Sequence, residues 1–403
     1  MKKHPTTPRP GITAFALLAS LALPALGATT ETKPEPTTRA STVLLITSPE
    51  LAEAWQPFAD WKTRQGKSTR IVTTQNIREN YDGDDIQQRI RACVLDHIEQ
   101  HGTRWIILGG DSKPDGEGHV PHRITSHPIL GRGGMRFPGS DVACGDHRIP
   151  SDLYYLSPQD MDWDANDNGT YGEFPADLKA IAYTHPSGAV IGRIPMTTPE
   201  DVAHYTEKVR SYESNYPTKG FATQFLYTNT TGGSQPKVIR SWDDVISKAW
   251  PKGSVYRFFH TRSPWDTDGP GSYALNADHW VEKINARTAS KMHMHGHGMP
   301  EFWVLEHATG DTHVNPEVVS QLSNENAYPI ITTVSCFTGQ FDSKGDPCIA
   351  ETMLRAPNRG AILMVAPSRS GMPIFHNPRA DFPKMIHEGK LDATTESLSR
   401  FWA

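Results

Sequence analysis

The sequence is poor in cysteine, with four in 403 residues: Cys93, Cys144, Cys336 and Cys348. Four would allow two disulfides in an exported protein, but a chain of this length can bury a large core without them. It also lacks a basic excess. Lys and Arg total 40 against 45 Asp and Glu, for a formal net charge of −5. No large positive surface is available to release counterions from a phosphate backbone, so nucleic acid is not an expected partner. After Leu26 there is no apolar stretch of about 20 residues, so no stable membrane span is expected beyond the N-terminus. No internal repeat of short fixed period is present, which argues against a solenoid.

What is present begins with a distinct leader. Lys2 and Lys3 precede a mostly apolar run from Ile12 to Leu26, and Ala25 and Gly27 supply small residues at the −3 and −1 positions of a cleavage site. Residues 1–28 therefore read as a signal peptide, and the protein as secreted, periplasmic or held at the cell surface. Residues 29–41, rich in Thr, Pro and Glu, read as a flexible tether. They leave no room for a folded inhibitory domain before the first strand.

From Thr42 on, short β-rich runs alternate with amphipathic helical stretches. Strands are expected at 42–47, 68–74 and 105–109, with helices at 49–65 and from Asp84 or Asp85 between them. Cys93 falls on the apolar stripe of the second helix, as a small buried hydrophobe. Residues 112–180 are rich in Gly, Pro and Asp and read as an irregular insertion. Regular order resumes with a strand at 189–194 and a helix at 199–214. A second series follows, with strands at 224–228, 255–260, 291–297, 329–335 and 361–366 and helices at 238–250, 274–285, 315–323 and 349–355. Strand–helix alternation argues for an α/β fold with parallel sheets, whose chemistry sits in loops at the carboxyl ends of strands. Two fused α/β subdomains are expected, an N-terminal one over 42–216 and a C-terminal catalytic one over 217–403.

The strongest chemical signal is the pair His297-Gly298 and Ser335-Cys336. Each follows a strand-like run and precedes turn-permissive residues. Two neighbouring parallel strands ending this way would bring a thiol, an imidazole and backbone N–H groups to one sheet edge, which is what nucleophilic catalysis needs. An imidazole at hand raises the thiolate fraction of the cysteine. The backbone N–H groups of Gly298 and Cys336 are the natural donors to an oxyanion.

The runs His295-Gly296-His297-Gly298…Trp303 and Ser335-Cys336-Phe337-Thr338-Gly339-Gln340-Phe341-Asp342 resemble the catalytic segments of the gingipain-type cysteine peptidases. Shorter matches run in the same order along the chain. They include Gly109-Gly110-Asp111, Ser151-Asp152-Leu153-Tyr154-Tyr155, Gly192-Arg193-Ile194-Pro195, Lys208 and Ile349-Ala350-Glu351. The resemblance implies a caspase-like fold and endopeptidase activity on proteins or peptides through a Cys–His dyad and a thioester, with no organic cofactor. His297, between two glycines, takes the catalytic position rather than His295. Where the resemblance leads one to expect an acidic residue that orients the histidine, the sequence reads His185-Pro186-Ser187-Gly188, which leaves a third catalytic member open. No clear β-sandwich follows the catalytic part, as expected of a compact or shortened member. Asp152 and Glu351 are expected in structural rather than pocket roles.

A second motif lies in the insertion. Counting from Asp164, oxygen-bearing residues fall at loop positions 1, 3 and 5 with Gly169 at 6, as in the first half of a calcium loop. Asp162, Asp164, Asn166, Asn168, Thr170 and Glu173, or Asp177 in place of the last, are candidate ligands of a structural Ca2+. Two other readings are carried forward. One is a catalytically silent, calcium-stabilised binding or adhesion module of the same fold. The other is a zinc hydrolase using His293, His295 and His297, which alternate along a strand and so share one face.

Overall fold

The computed structural model describes residues 42–126, 148–172, 188–214, 224–229, 254–259, 272–287, 289–305 and 310–369, together with Asp177. The expected signal peptide, tether and 238–250 helix, and Cys144 and Glu173, lie outside these residues.

The N-terminal half is built on β1 (Val43–Thr47), β2 (Thr69–Thr73), β3 (Trp105–Leu108) and β6 (Val190–Arg193), in the order β2-β1-β3-β6. All neighbours are parallel, with Leu45 opposite Ile71 on one side and Ile107 on the other. Every residue of β1 is buried, as a central strand covered on both faces requires. Leu44 and Ile46 face α2 (Thr74–Asn80) and α3 (Ile86–His101), with Ile77, Ile90, Cys93 and Val94 in one apolar cluster. Leu45 faces the other way, onto α1 (Pro49–Arg64) and α4 (Pro199–Ser214), through Trp55, Phe58, Val202 and Tyr205. Helix α3 starts where its sequence says: Asp85 caps it by accepting from the Gln88 N–H, and Gly102 ends it at φ 66°. Cys93 is fully buried, and burial pushes its thiol up to about 12.

Helix α2 was not expected; it is only seven residues long and opens with a Thr73–Asn76 capping box. The insertion is not wholly irregular. It holds the antiparallel pair β4 (Arg123–Ser126) and β5 (Arg148–Ser151) and a 3₁₀ turn at Leu153–Leu156.

The second sheet contains β7 (Gln224–Asn229), β8 (Ser254–Phe259), β9 (Ser272–Ala274), β10 (Lys291–His295), β14 (Ile330–Thr333) and β15 (Leu363–Val365). Their order is β15-β14-β10-β7-β8-β9, all parallel. Helices α5 (Ala277–Asn285), α6 (Pro316–Ser320) and α7 (Ile349–Arg355) accompany it. Its core gathers Trp280, Met292, Met294, Trp303, Ile331 and Met353. The third apolar cluster runs between the halves: Leu45, Trp55 and Tyr205 share it with Tyr328, Leu354 and Ile362. The molecule is thus an α/β fold of the expected kind, with two parallel sheets and one shared layer of apolar contacts.

Candidate active site

Strand β10 pairs with β14 in parallel, His293 opposite Thr332 and Met294 opposite Thr333. Both strands stop within a residue of one another at the same sheet edge, and the Val334 N–H extends the ladder to the Met294 carbonyl at 3.2 Å. Each then delivers one of the two predicted residues. After His295 the chain passes Gly296, presents His297 to solvent, and turns back as β11 (Gly298–Met299) against β12 (Phe302–Leu305). The Val304 N–H donates to the His297 carbonyl at 3.0 Å, and β13 (Thr312–Val314) completes this small antiparallel sheet. The expected strand at 291–297 therefore ends two residues early, and the hairpin that replaces its end fixes the His297 backbone.

After Thr333 the chain enters a tight turn. The Thr333 hydroxyl accepts from the Ser335 N–H at 3.0 Å and from the Trp303 indole at 3.2 Å. This ties the cysteine segment to the hairpin beside His297, and it makes Trp303 a buried core residue. Cys336 follows, half-buried and reduced. Phe337, buried, sits at φ 62°. A bulky residue in the left-handed region costs on the order of 1–3 kcal/mol, and such residues cluster where a turn must be sharp. The turn is held from outside: the Phe337 N–H donates to the Arg369 carbonyl at 2.9 Å and the Gly339 N–H to Pro367 at 3.0 Å. Arg369 itself grips the buried Asp342 through two bonds of 2.7 and 2.6 Å.

The two loops touch at Gly298. A Cβ there would lie 2.6 Å from Thr338 Cγ2, 2.9 Å from Ser335 Cβ and 3.1 Å from the Cys336 carbonyl oxygen. Only glycine fits, so the residue after the histidine and the backbone of the cysteine are in direct contact. Below them, the first turn of α7 binds both loops. Ile349 N–H donates to the Pro300 carbonyl at 2.6 Å, and Ala350 N–H to the Thr338 carbonyl at 3.1 Å.

The other histidines serve the core. His293 is buried with Nδ1 2.8 Å from the Thr332 hydroxyl, and burial beside His295 pulls its pKa down to about 3. The rings of His293 and His295 lie 6.4 Å apart, both buried, whereas His297 is exposed beyond the strand end. The zinc arrangement is therefore not formed: among the described residues no three His, Cys, Asp or Glu side chains gather as a metal site.

The acidic loop folds around its own backbone. Asp164 accepts from the Asn168 N–H at 2.9 Å and the Gly169 N–H at 2.8 Å, one on each carboxylate oxygen. Asp162 accepts from Asp164 N–H, Asn168 from Thr170 N–H, and the buried Asp177 from Ala165 N–H. Each bond uses one lone pair and leaves another on the same oxygen. The loop is anchored by buried Trp163, whose indole donates to Ser157 at 2.8 Å.

Several supporting residues were missed or left unassigned in the sequence. Asp152 and the buried Arg193 form a two-pronged pair at 2.6 and 2.8 Å, and Arg193 also donates to three carbonyls and lies over the Phe341 ring at 4.8 Å. That contact seats the cysteine segment against the N-terminal half. Of the stretch His185-Pro186-Ser187-Gly188, where an acidic partner for the histidine was expected, Gly188 lies among the described residues, at φ +67° with nothing within 4 Å of where a Cβ would stand.

The chain matches the family model described as Peptidase family C25 over residues 37–400. Among solved structures, it is similar to the complex of Porphyromonas gingivalis RgpB pro- and mature domains, with 19% identity and TM-score 0.55, covering 82% of this chain and 64% of that one. It is similar to the Arg specific cysteine proteinase gingipain R, with 19% identity and TM-score 0.54, covering 84% of this chain and 65% of that one. A structure described only as a protease gives 17% identity, TM-score 0.54, and coverage of 82% and 60%. The chain thus spans somewhat less than two-thirds of the length of these structures. No curated protein matches the sequence.

Proposed function

This chain belongs to peptidase family C25, and from that premise we propose that it is a secreted endopeptidase in which Cys336 is the nucleophile and His297 its proton partner. The observation that carries the reading is the contact of the two loops at Gly298, where a single added Cβ would collide with Ser335 and Thr338. In the proposed cycle, the Cys336 thiolate attacks the carbonyl carbon of a peptide bond, and the C=O electron pair moves onto oxygen. The N–H groups of Gly298 and Cys336 receive that oxyanion. The C–N bond then breaks and the amine leaves with a proton from His297. The remaining thioester is hydrolysed by water, which His297 deprotonates, and the acid and the thiol are released. A half-buried cysteine suits this role, because the sulfur must be reachable and yet shielded.

Export through residues 1–28 and a structural Ca2+ in the 162–177 loop belong to the same proposal. Asp162, Asp164, Asn166, Asn168 and Thr170 would hold the ion, with Asp177 or Glu173 closing the coordination and Glu173 outside the described residues. The support is the run of oxygen-bearing side chains at calcium-loop spacing, of which Asp164 and Asn168 are oriented by backbone N–H groups next to Gly169, at φ +77°. Bound there, calcium would supply charge neutralisation to the loop and no chemistry to the peptide.

The test is cleavage of a peptide library by the wild type and by Cys336→Ala, each with and without a calcium chelator. Cleavage is expected from the wild type and not from the variant. Equal cleavage by both would contradict the assignment. Chelation is expected to lower the melting temperature, and an unchanged melting temperature would remove calcium from the account.

A further inference from the structure

Helix α7 does more than pack. Its first turn donates to the loop after His297 and to the loop after Cys336, so its position sets the distance between them. The helix is itself held by one buried side chain. Glu351, 2% exposed, accepts from the Cys348 N–H at 2.8 Å through one oxygen and from Arg355 at 2.6 Å through the other. Arg355 in turn donates to the Pro195 carbonyl and lies 3.5 Å from Asp111, both in the N-terminal half. The chain of contacts therefore runs from the end of β3, through Arg355 and Glu351, to the first turn of α7 and so to both catalytic loops.

We propose that Glu351 is a positioning residue that holds α7 between the N-terminal half and the two loops, and so sets the approach of His297 to Cys336. This rests on the dyad reading above. The Arg355 guanidinium is shared between the buried Glu351 and the half-buried Asp111. Facing Glu351 are Arg355 and the Cys348 thiol on its own helix and Asp111 from the end of β3. Facing Asp111 are Arg193 and His119. Burial, with Asp111 adding to it, pushes the Glu351 carboxyl up to about 7 against the opposing pull of Arg355. The ionised form accepts both bonds at full strength. Protonation puts a hydrogen on one of the two accepting oxygens and makes it a poorer acceptor, so the bond from Cys348 or Arg355 weakens and the first turn of α7 loosens.

The experiment compares wild type, Glu351→Gln, Glu351→Ala and Cys336→Ala in peptide cleavage from pH 5.5 to 9, with alkylation of Cys336 measured in parallel. Glu351→Ala is expected to lower kcat about tenfold or more with KM within about twofold, because misplacement of reacting groups acts on the chemical step. Glu351→Gln keeps only one acceptor oxygen, as the protonated carboxyl does, and is expected to fall between Glu351→Ala and the wild type, near the wild type's acid-side rate. It is also expected to lose the fall in kcat, and in Cys336 alkylation, that the wild type shows as pH drops through about 7. Wild-type kcat and an unaltered pH profile in both Glu351 variants would overturn the proposal. So would a loss in Glu351→Ala that tracks melting temperature and leaves Cys336 alkylation untouched. If Cys336→Ala cleaves like the wild type, the dyad reading itself falls. Loss of cleavage in Cys336→Ala with no effect at Glu351 removes only the positioning role.

Discussion

At the scale of single residues, the site depends on what Gly298 lacks. Gly298→Ala places a methyl group 2.6 Å from the Thr338 side chain and 3.1 Å from the Cys336 carbonyl. One loop must shift by several tenths of an ångström, and catalytic groups displaced on that scale lose on the order of 10- to 100-fold in rate. Kinetics on Gly298→Ala is expected to show that loss in kcat with the far-UV circular dichroism spectrum unchanged. A variant as fast as wild type would mean that the two loops do not act together. This part of the site was legible in the sequence, because His-Gly and Ser-Cys after two strand-like runs carry a spacing and a chemistry. Ser335, Thr338 and Trp303 were visible only as members of a segment. That the Thr333 hydroxyl gathers both Ser335 and Trp303 depends on strand register, which a sequence pattern leaves open.

At the scale of elements, the buried strands and the long helices were the readable ones. β1, α1, α3 and α4 lie within a residue or two of the expected bounds because each has one period sustained over its length. The hairpin β11–β12 was not expected, since its strands are two and four residues long and their partners are each other. The brace at α7 was equally hidden, because its contacts run to backbone carbonyls of Pro300 and Thr338, which have no side-chain signature. The far end of α7 makes the same point. Buried Lys208 on α4 donates to the Met353 and Leu354 carbonyls at 3.1 and 2.9 Å and to Ala361 at 3.4 Å, and burial pulls its pKa down to about 7. Lys208→Met leaves those carbonyls without this donor and is expected to cost roughly 1–3 kcal/mol in urea unfolding. A neutral or stabilising result would show that packing alone holds α4 on α7.

At the scale of the whole molecule, buried titratable groups set the response to pH. His97, His122 and His293 are held neutral by burial, with pKa values lowered to about 4, 3 and 3. Their unfolded counterparts take up protons first as pH falls below about 6.5. Stability contributed by these three is therefore present above that pH and is lost as pH falls toward 3. Glu351 has the opposite sign: its raised carboxyl contributes stability fully present below about 4.5 and lost as pH rises through about 7. Urea unfolding across pH 4–8 is expected to show the acid loss, and His122→Gln is expected to make it shallower. An unchanged slope in that variant would place the acid sensitivity elsewhere. The shared cluster of Leu45, Trp55, Tyr205, Tyr328, Leu354 and Ile362 ties the two sheets together, so Trp55→Ala, at about 3–5 kcal/mol, is expected to weaken the C-terminal half along with the N-terminal one.

The central claim is that one thiol does the chemistry. Of the three described cysteines, Cys93 and Cys348 are buried, with thiols pushed up to about 12 and well above the ordinary value, whereas Cys336 is half-exposed beside Gly298. The most direct measurement is the mass-mapped adduct formed when iodoacetamide is titrated against the enzyme while residual peptidase activity is followed. The account predicts one fast adduct, on Cys336, with activity falling in proportion to it. Activity that persists after Cys336 is fully alkylated, or that disappears with an adduct elsewhere while Cys336 is intact, would contradict it.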